Sequence, residues 1–235
     1  MTDLKKIKKF LEKKKICACL ISKNNQFLNE IVNPKENLLL KVTNFTGSNG
    51  YALIFKNKQY LYVDGRYHHQ AKIQSNNFII KDVLKLKKDL SKIMGREENL
   101  LIDPKTFSLS FSETYKFKNL IFFNSIKKKD TQVKILNLSK NYVGEEIIQK
   151  IRKLKSKIPL KNNEAFLITS PENIGWLSNI RVIKNSFSKI LNCIAIFNKN
   201  RIYIFTDFPI KSKINNVTFK KNSELTKYIT KYKKI

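Results

Sequence analysis

From Asp3 the apolar residues Leu4, Ile7, Phe10 and Leu11 recur at helical spacing, with lysines on the opposite face. This amphipathic pattern leads directly into the apolar run Ile16–Ile21, which reads as a strand on which the helix packs. Asn44–Gly50 is a polar, glycine-containing turn, and Tyr51–Phe55, the turn Lys56–Gln59 and Tyr60–Val63 follow as a β-hairpin. A second helix is announced by Asp82 as its cap, by the stripe Val83, Leu86, Leu90 and Ile93, and by Gly95 as its stop. A strand over Leu100–Ile102, halted by Asp103 and Pro104, and the apolar run Leu120–Phe123 complete an alternation of α and β patterns.

The lysine-rich stretch Lys127–Lys140 is polar, and residues 125–143 read as a linker. The pattern then restarts with a helix from Gly144, its stripe being Ile147, Ile148, Ile151, Leu154 and Ile158. Phe166–Thr169 reads as a strand, and Ser170 caps a helix whose first position is Pro171, where a missing N–H is harmless. That helix carries Ile174, Trp176 and Leu177. Cys193–Phe197, the turn Asn198–Arg201 and Ile202–Thr206 form a hairpin like the earlier one. Each half thus runs helix, strand, helix or loop, then hairpin, which suggests one duplicated α/β unit, although short hairpins recur by coincidence. After the second hairpin come only the polar Lys211–Asn216, a short apolar run at Val217–Phe219 and a helical pattern through Leu225, Tyr228 and Ile229, so the second half reads as unfinished. The expected domains are 1–135 and 141–235, the second of them truncated.

The composition allows such folding: 235 residues, at about 150 per domain, suit one or two domains, and 42% hydrophobic residues suit a globular chain. Lys and Arg outnumber Asp and Glu by 47 to 18, a net charge of +29 whose field attracts polyanions. The lysines are spread along the chain among abundant Asn and Ile, as an AT-rich genome would also produce, and no nucleic-acid motif accompanies them. Non-specific, salt-sensitive contact with nucleic acid is the expectation. Cys17, Cys19 and Cys193 lie in apolar runs that read as strands and form no disulfide framework. Neither a signal core nor an apolar run near the ~20 residues of a membrane span is present, so the expected location is cytoplasmic, with no membrane partner.

The local feature that stands out is Asn44-Phe45-Thr46-Gly47-Ser48-Asn49-Gly50, followed 14 residues after Gly50 by Asp64-Gly65-Arg66-Tyr67. Taken singly, these glycines mark turns and the end of a strand. Together, with Gln70-Ala71, they resemble the amino-terminal domain of the creatinase, prolidase and aminopeptidase P family, which carries Phe-Thr-Gly-Ser, a hairpin and Asp-Gly-Arg-Tyr. Ile174-Gly175-Trp176-Leu177-Ser178-Asn179-Ile180-Arg181 is similar to the Ile-Ala-Trp-Leu-x-Asn-x-Arg segment in the second domain of the long Xaa-Pro aminopeptidases. The resemblance spans nearly the whole chain and implies an α/β fold. That fold is a creatinase/prolidase-type domain of mixed sheet flanked by helices, with a ribonuclease H-like motif, followed by a similar domain. The motif residues are then Phe45, Thr46, Gly47, Ser48, Asp64, Gly65, Arg66, Tyr67, Trp176, Asn179 and Arg181. The sequence departs from the family after Arg181, where Val182–Lys189 holds no proline.

In the full-length family, two divalent metal ions such as Mn are held by two Asp, one His and two Glu in a pita-bread catalytic domain, and no segment here corresponds to it. The chain's only histidines, His68 and His69, are adjacent, about 100° apart on a helix or on opposite faces of a strand, and so poorly placed to chelate one ion. They read as solvent-exposed or weakly packed. A Walker P-loop, a nucleophile elbow and a Cys-x-x-Cys pair are likewise missing. The expectation is therefore no catalytic residue, metal or cofactor in this chain. Arg66 is the candidate contact for a substrate carboxylate, with pairing to Asp64 or capping of carbonyls as its structural alternative. Tyr67 and Trp176 read as core or interface aromatics. The resemblance implies the non-catalytic part of an enzyme that removes an amino-terminal residue preceding proline, serving in dimerisation and cleft shaping. Its partners would be a second copy or a separately encoded catalytic domain, and proline-containing peptides only through the parent enzyme. The competing readings are a stand-alone interaction module and a degenerate gene remnant.

Overall fold

Leu4, Ile7 and Leu11 turn inward along α1 (Asp3–Lys14), which ends where Lys15 takes a positive φ of 53°. The computed structural model describes residues 3–124, 133–183, 188–199 and 201–235, and the chain divides into two compact units, Met1–Lys127 and Lys128–Ile235.

In the first unit α1 is followed by β1 (Ala18–Ser22), α2 (Leu38–Thr43), the hairpin β2 (Tyr51–Phe55) and β3 (Gln59–Val63), α3 (His68–Gln74), β4 (Ile79–Asp82), α4 (Leu86–Gly95), β5 (Leu100–Ile102), α5 (Leu109–Thr114) and β6 (Leu120–Phe122). The sheet order is β4-β3-β2-β1-β5-β6, with β1, β2 and β3 antiparallel in turn and the β3/β4, β1/β5 and β5/β6 pairs parallel. Both faces of this mixed sheet are covered, so β1 is buried at every position. Strand alternation sends Cys19, Ile21, Ala52, Ile54, Leu61 and Val63 towards Leu11, Leu39, Phe45 and Ala71 on one side. On the other side Ala18, Leu20, Leu53 and Tyr62 meet Leu86, Leu90, Ile93 and Met94. Each fully buried Leu or Ile contributes roughly 1.5–3 kcal/mol of transfer free energy.

The second unit holds β7 (Ile135–Asn137), α6 (Lys140–Val143), α7 (Ile147–Lys157), β8 (Phe166–Ile168), α8 (Pro171–Ser178), β9 (Ile180–Val182), the hairpin β10 (Ile194–Asn198) and β11 (Arg201–Thr206), β12 (Val217–Lys221) and α9 (Leu225–Ile229). Its main sheet runs β12-β11-β10-β8, and β7 pairs with β9 in a separate antiparallel ribbon. The pairs β8/β10 and β10/β11 are antiparallel and β11/β12 is parallel, the order and sense of β1, β2, β3 and β4. The likeness extends to side chains. Helix α2 ends in Thr43, whose hydroxyl donates to Leu39 O at 2.7 Å, then Asn44 at φ 62° and buried Phe45. Helix α8 ends in Ser178, whose hydroxyl donates to Ile174 O at 2.6 Å, then Asn179 at φ 55° and buried Ile180.

Several sequence expectations change. Residues 125–143 are not a plain linker: β7 and α6 lie within them, β7 being held by its ladder to β9, while residues 125–132 lie outside the described residues. Residues 184–187 of the proline-free loop and residue 200 of the second hairpin turn also lie outside them. Helix α7 begins at Ile147 rather than Gly144, because Gly144 closes α6 at φ 74° and the Gln149 side chain accepts from Glu146 N–H at 2.9 Å. Asp82 caps a short 3-10 turn, Val83–Lys85, that precedes α4. Of the two histidines, His69 is exposed and His68 is half-buried, its Nε2 buried without a hydrogen bond and 3.9 Å from Asp82 Oδ2.

Cys17 and Cys193 sit just ahead of β1 and β10 rather than inside them, and all three thiols are free. Burial, a hydrogen bond to Glu98 Oε2 at 2.6 Å and the Glu98 charge push the Cys17 thiol up to about 12. Burial pushes Cys19 and Cys193 up as well. Since the thiolate is the reactive form, native protein at pH 8 should label slowly with a disulfide reagent and release three equivalents only on unfolding. One fast equivalent in the native state would contradict this placement of Cys17.

Candidate functional site

The Phe45–Ser48 turn lies against the start of α3, and the structure joins the two halves of the first motif. Asn44 in the left-handed region reverses the chain out of α2, and Phe45 N–H donates to Thr43 Oγ1 at 3.0 Å. Thr46 N–H donates to Gln74 Oε1 at 3.0 Å, and Gln70 Nε2 donates to Thr46 Oγ1 at 2.8 Å. Ser48 Oγ and Tyr67 Oη are 2.8 Å apart. Beneath them the Phe45 ring is 1% exposed and meets the Tyr67 ring edge-on at 5.7 Å. Tyr67 thus packs on the core of the first unit. Gln74 has no motif signature of its own; its place one helical turn after Gln70 is the signal that would have exposed it.

Asp64 ends the hairpin and caps the 3-10 turn Gly65–Tyr67, accepting from Arg66 N–H at 2.9 Å. The same carboxylate takes the Arg66 fork, from Nε at 3.1 Å and Nη2 at 2.8 Å. The hydrogen bonds from Arg66 lower the Asp64 carboxyl below its ordinary value, and the partner carboxylate raises Arg66. The Arg66 side chain is 83% exposed, so this pair is a surface contact of small energetic weight. Gly65 is exposed with open space about it, and Ala71 is buried in the core.

The second motif is organised by a residue that sequence reading passed over. Lys150 on α7 is 3% exposed and donates to Trp176 O at 2.7 Å and to Asn179 Oδ1 at 2.6 Å. Its ammonium lies 4.4 Å from the Trp176 ring centre. Burial lowers the Lys150 pKa, Glu145 opposes that effect and Arg181 adds to it. Asn179 Nδ2 donates to Glu145 O at 2.9 Å, and Arg181 Nη1 donates to Gly175 O at 2.6 Å and Ile180 O at 2.8 Å. Trp176 is 57% exposed, so of the two places expected for it, core or interface, the core is not the one it takes. Its position on α8 turns it outward from the stripe of Ile174 and Leu177 that enters the core.

The motif side chains named above are thus held by hydrogen bonds within their own unit. Among the described residues no group of three or more His, Cys, Asp and Glu side chains comes together as a metal site, and no helix is long and apolar enough to cross a membrane.

A mixed sheet with helices on both faces, built twice along one chain with the Phe-Thr-Gly-Ser turn on the first copy, defines a creatinase/prolidase-type amino-terminal α/β protein. The chain belongs to the creatinase/prolidase N-terminal domain family, which it matches twice, over residues 4–127 and 127–235. What it shares with the Xaa-Pro aminopeptidases is their amino-terminal domains. It is 24% identical over 225 residues to a probable Xaa-Pro aminopeptidase P of Laccaria bicolor, covering 87% of this chain and 35% of that protein. It is 21% identical over 243 residues to Xaa-Pro aminopeptidase 1 of Dictyostelium discoideum, covering 92% and 38% respectively. The chain therefore spans little more than a third of the length of these curated relatives. Among solved structures it resembles the X-prolyl aminopeptidase of Caenorhabditis elegans, described as a cytosolic enzyme with a di-nuclear active site. The TM-score is 0.76 at 20% identity, over 92% of this chain and 40% of that one.

Proposed function

We propose that this chain acts as the non-catalytic amino-terminal portion of an Xaa-Pro aminopeptidase-like metallopeptidase, whose reaction removes an amino-terminal residue that precedes proline. The observation that carries the reading is the double match to an N-terminal domain family over nearly the whole chain, against relatives of almost three times its length. Its work is then that of a scaffold, supporting a dimer and narrowing access to a catalytic cleft, with Arg66 as the residue that would meet a peptide carboxylate at its rim. The pairing of Arg66 with Asp64 limits that role to a ligand able to compete for the guanidinium fork. The two divalent ions of the parent reaction would be held by residues other than the motif clusters described above, since these are closed by internal hydrogen bonds and hold too few carboxylates for hard-cation ligation. The location of such a protein would be the cytoplasm.

The purified chain, incubated with Mn²⁺ and an Xaa-Pro-containing peptide, should release no amino-terminal residue above the buffer blank. Metal-dependent release that follows the chain through successive purification steps would overturn the assignment. Sedimentation at several concentrations tests the dimer separately, and a mass of one chain throughout would remove that part of the proposal.

A further inference from the structure

The end strand of the second sheet has a wall built beside it. Strand β12 ends the order β12-β11-β10-β8, and among the described residues no strand lies beyond it. This open side belongs to the repeated unit: β4 ends the first sheet in the same position, parallel to its neighbour, and the described residues that follow it add no strand there. The connections into the two strands differ. Between β3 and β4 the chain forms α3, whereas residues 207–216, between β11 and β12, hold no helix and return along the outer side of β12.

That returning segment is tied to the strand at one end. Val217 N–H donates to Ile214 O at 3.2 Å, and Ile214 and Val217 form an antiparallel bridge. From there the two walls part, leaving a cleft of about 350 Å³ lined by residues 210–214 and 217–219. Ile202 N–H donates to Asn216 O at 2.8 Å, so Asn216, Thr218 and Lys220 turn their main-chain groups to β11, and Val217 and Phe219 turn theirs into the cleft. Val217 C=O and both main-chain groups of Phe219 thus form a strand edge with no main-chain partner among the described residues. The floor is apolar, since Ile210, Ile214 and Phe219 pack on the core of the second unit. The rim is cationic: Lys211 and Lys213 are exposed, and no Asp or Glu lines the cleft.

We propose that this cleft is a strand-addition site for an acidic, extended segment of a separate protein. The segment lies against β12 between the two walls, accepts from Phe219 N–H and donates to Val217 C=O and Phe219 C=O. It sets an apolar side chain on Ile210, Ile214 and Phe219 and brings carboxylates to Lys211 and Lys213. Charge selects this occupant. Lysines at a sheet edge ordinarily keep other chains from pairing with it, and at a net charge of +29 a second copy of this chain is repelled. An acidic segment meets the opposite sign, so the residues that exclude a like chain recruit this one.

The test uses the full chain and the fluorescein-labelled peptide Glu-Val-Glu-Val-Glu. A control of the same sequence with every peptide nitrogen methylated keeps the charge and has no N–H to give. By fluorescence anisotropy the control should bind about tenfold more weakly or worse, having lost two main-chain hydrogen bonds. At about ten times its Kd, the unmodified peptide should slow hydrogen exchange of the Phe219 amide by about tenfold. Replacing both rim lysines, Lys211→Glu with Lys213→Glu, changes exposed loop residues and should weaken the unmodified peptide by about tenfold or more. Equal binding of the two peptides, or binding that leaves Phe219 exchange unchanged, would overturn the proposal, because the general positive charge would then be the whole effect. No measurable binding would overturn it as well. So would a Phe219 amide already protected in the free chain, since the cleft would then be closed by residues 210–214 themselves, or by a second copy where protection grows with concentration.

Discussion

Replacing Gly47 by alanine should destabilise the first unit by about 1–3 kcal/mol, as over-packing of a filled core does. A Cβ at this position would lie 2.1 Å from Phe45 Cζ, with the two Cε atoms at 2.7 and 2.9 Å. The ring has no open side to move into. It is 1% exposed, stands edge-on to Tyr67, and belongs to the cluster containing Leu39, Val42 and Ala71. A Cβ on Gly50 would itself come within 3.4 Å of it. The turn cannot simply lift away either, because Thr46 is tied to Gln70 and Gln74 and Ser48 to Tyr67. Phe45→Ala is expected to cost more, about 3–5 kcal/mol, by leaving a cavity. Phe45→Leu in the Gly47→Ala background should restore part of the loss, since residues in contact couple by roughly 0.5–3 kcal/mol. Urea unfolding followed by far-ultraviolet circular dichroism measures all three variants. An unchanged midpoint for Gly47→Ala would mean that the glycine serves something other than the space taken by Phe45.

The same turn marks the limit of what residue order discloses. Its glycines and the following hairpin were legible because turn chemistry brackets two apolar runs, and α1, α4 and α7 were legible from their stripes. Helix α2 was not, because Leu38-Leu39-Leu40 presents no period and its length is a single turn and a half. Strand β4 was hidden for another reason: it follows Asn76 and Asn77 as an edge strand with half-exposed residues, so neither alternation nor full burial distinguishes Ile79–Asp82. Strand β7 lay in a lysine-rich stretch and exists through its pairing with Ile180–Val182, a long-range interaction that local composition does not encode. Asp64 and Arg66 stand two residues apart, and their pairing was among the alternatives that the sequence offered. Lys150 was the most consequential omission. In a chain with 47 basic residues one more lysine looks like solvated surface, yet it stands three residues after Ile147 and four before Leu154, on the apolar stripe itself. A lysine in such a place must either reach out along its stem or find acceptors inside.

Lys150 takes the second course, and its replacement gives the other large effect. Lys150→Met keeps the stem volume but leaves Trp176 O and Asn179 Oδ1 without their donor, and orphaning the buried Asn179 acceptor costs about 1–3 kcal/mol, with a smaller loss at the part-buried Trp176 O. Lys150→Ala should cost more, because it opens a cavity beside Ile151 in addition. Trp176 is the chain's one tryptophan, so its emission reports this site alone, and loss of the ammonium 4.4 Å from the ring should change the native spectrum as well as the unfolding midpoint. The pH dependence has a definite sign. Burial lowers the Lys150 pKa in the folded state, so between that value and the unfolded value near about 10.4 the unfolded chain binds more protons. Stability from this residue therefore rises with pH across that window, and the difference between wild type and Lys150→Met should widen as pH approaches 10 from below. Comparing the two proteins at each pH cancels the opposing contribution of the buried tyrosines, whose pKa values are raised. A Lys150→Met protein with wild-type stability and emission would show that the ammonium is a solvated surface charge, and that the Trp-Leu-Ser-Asn-Ile-Arg corner is held by Arg181 and the left-handed Asn179 without it.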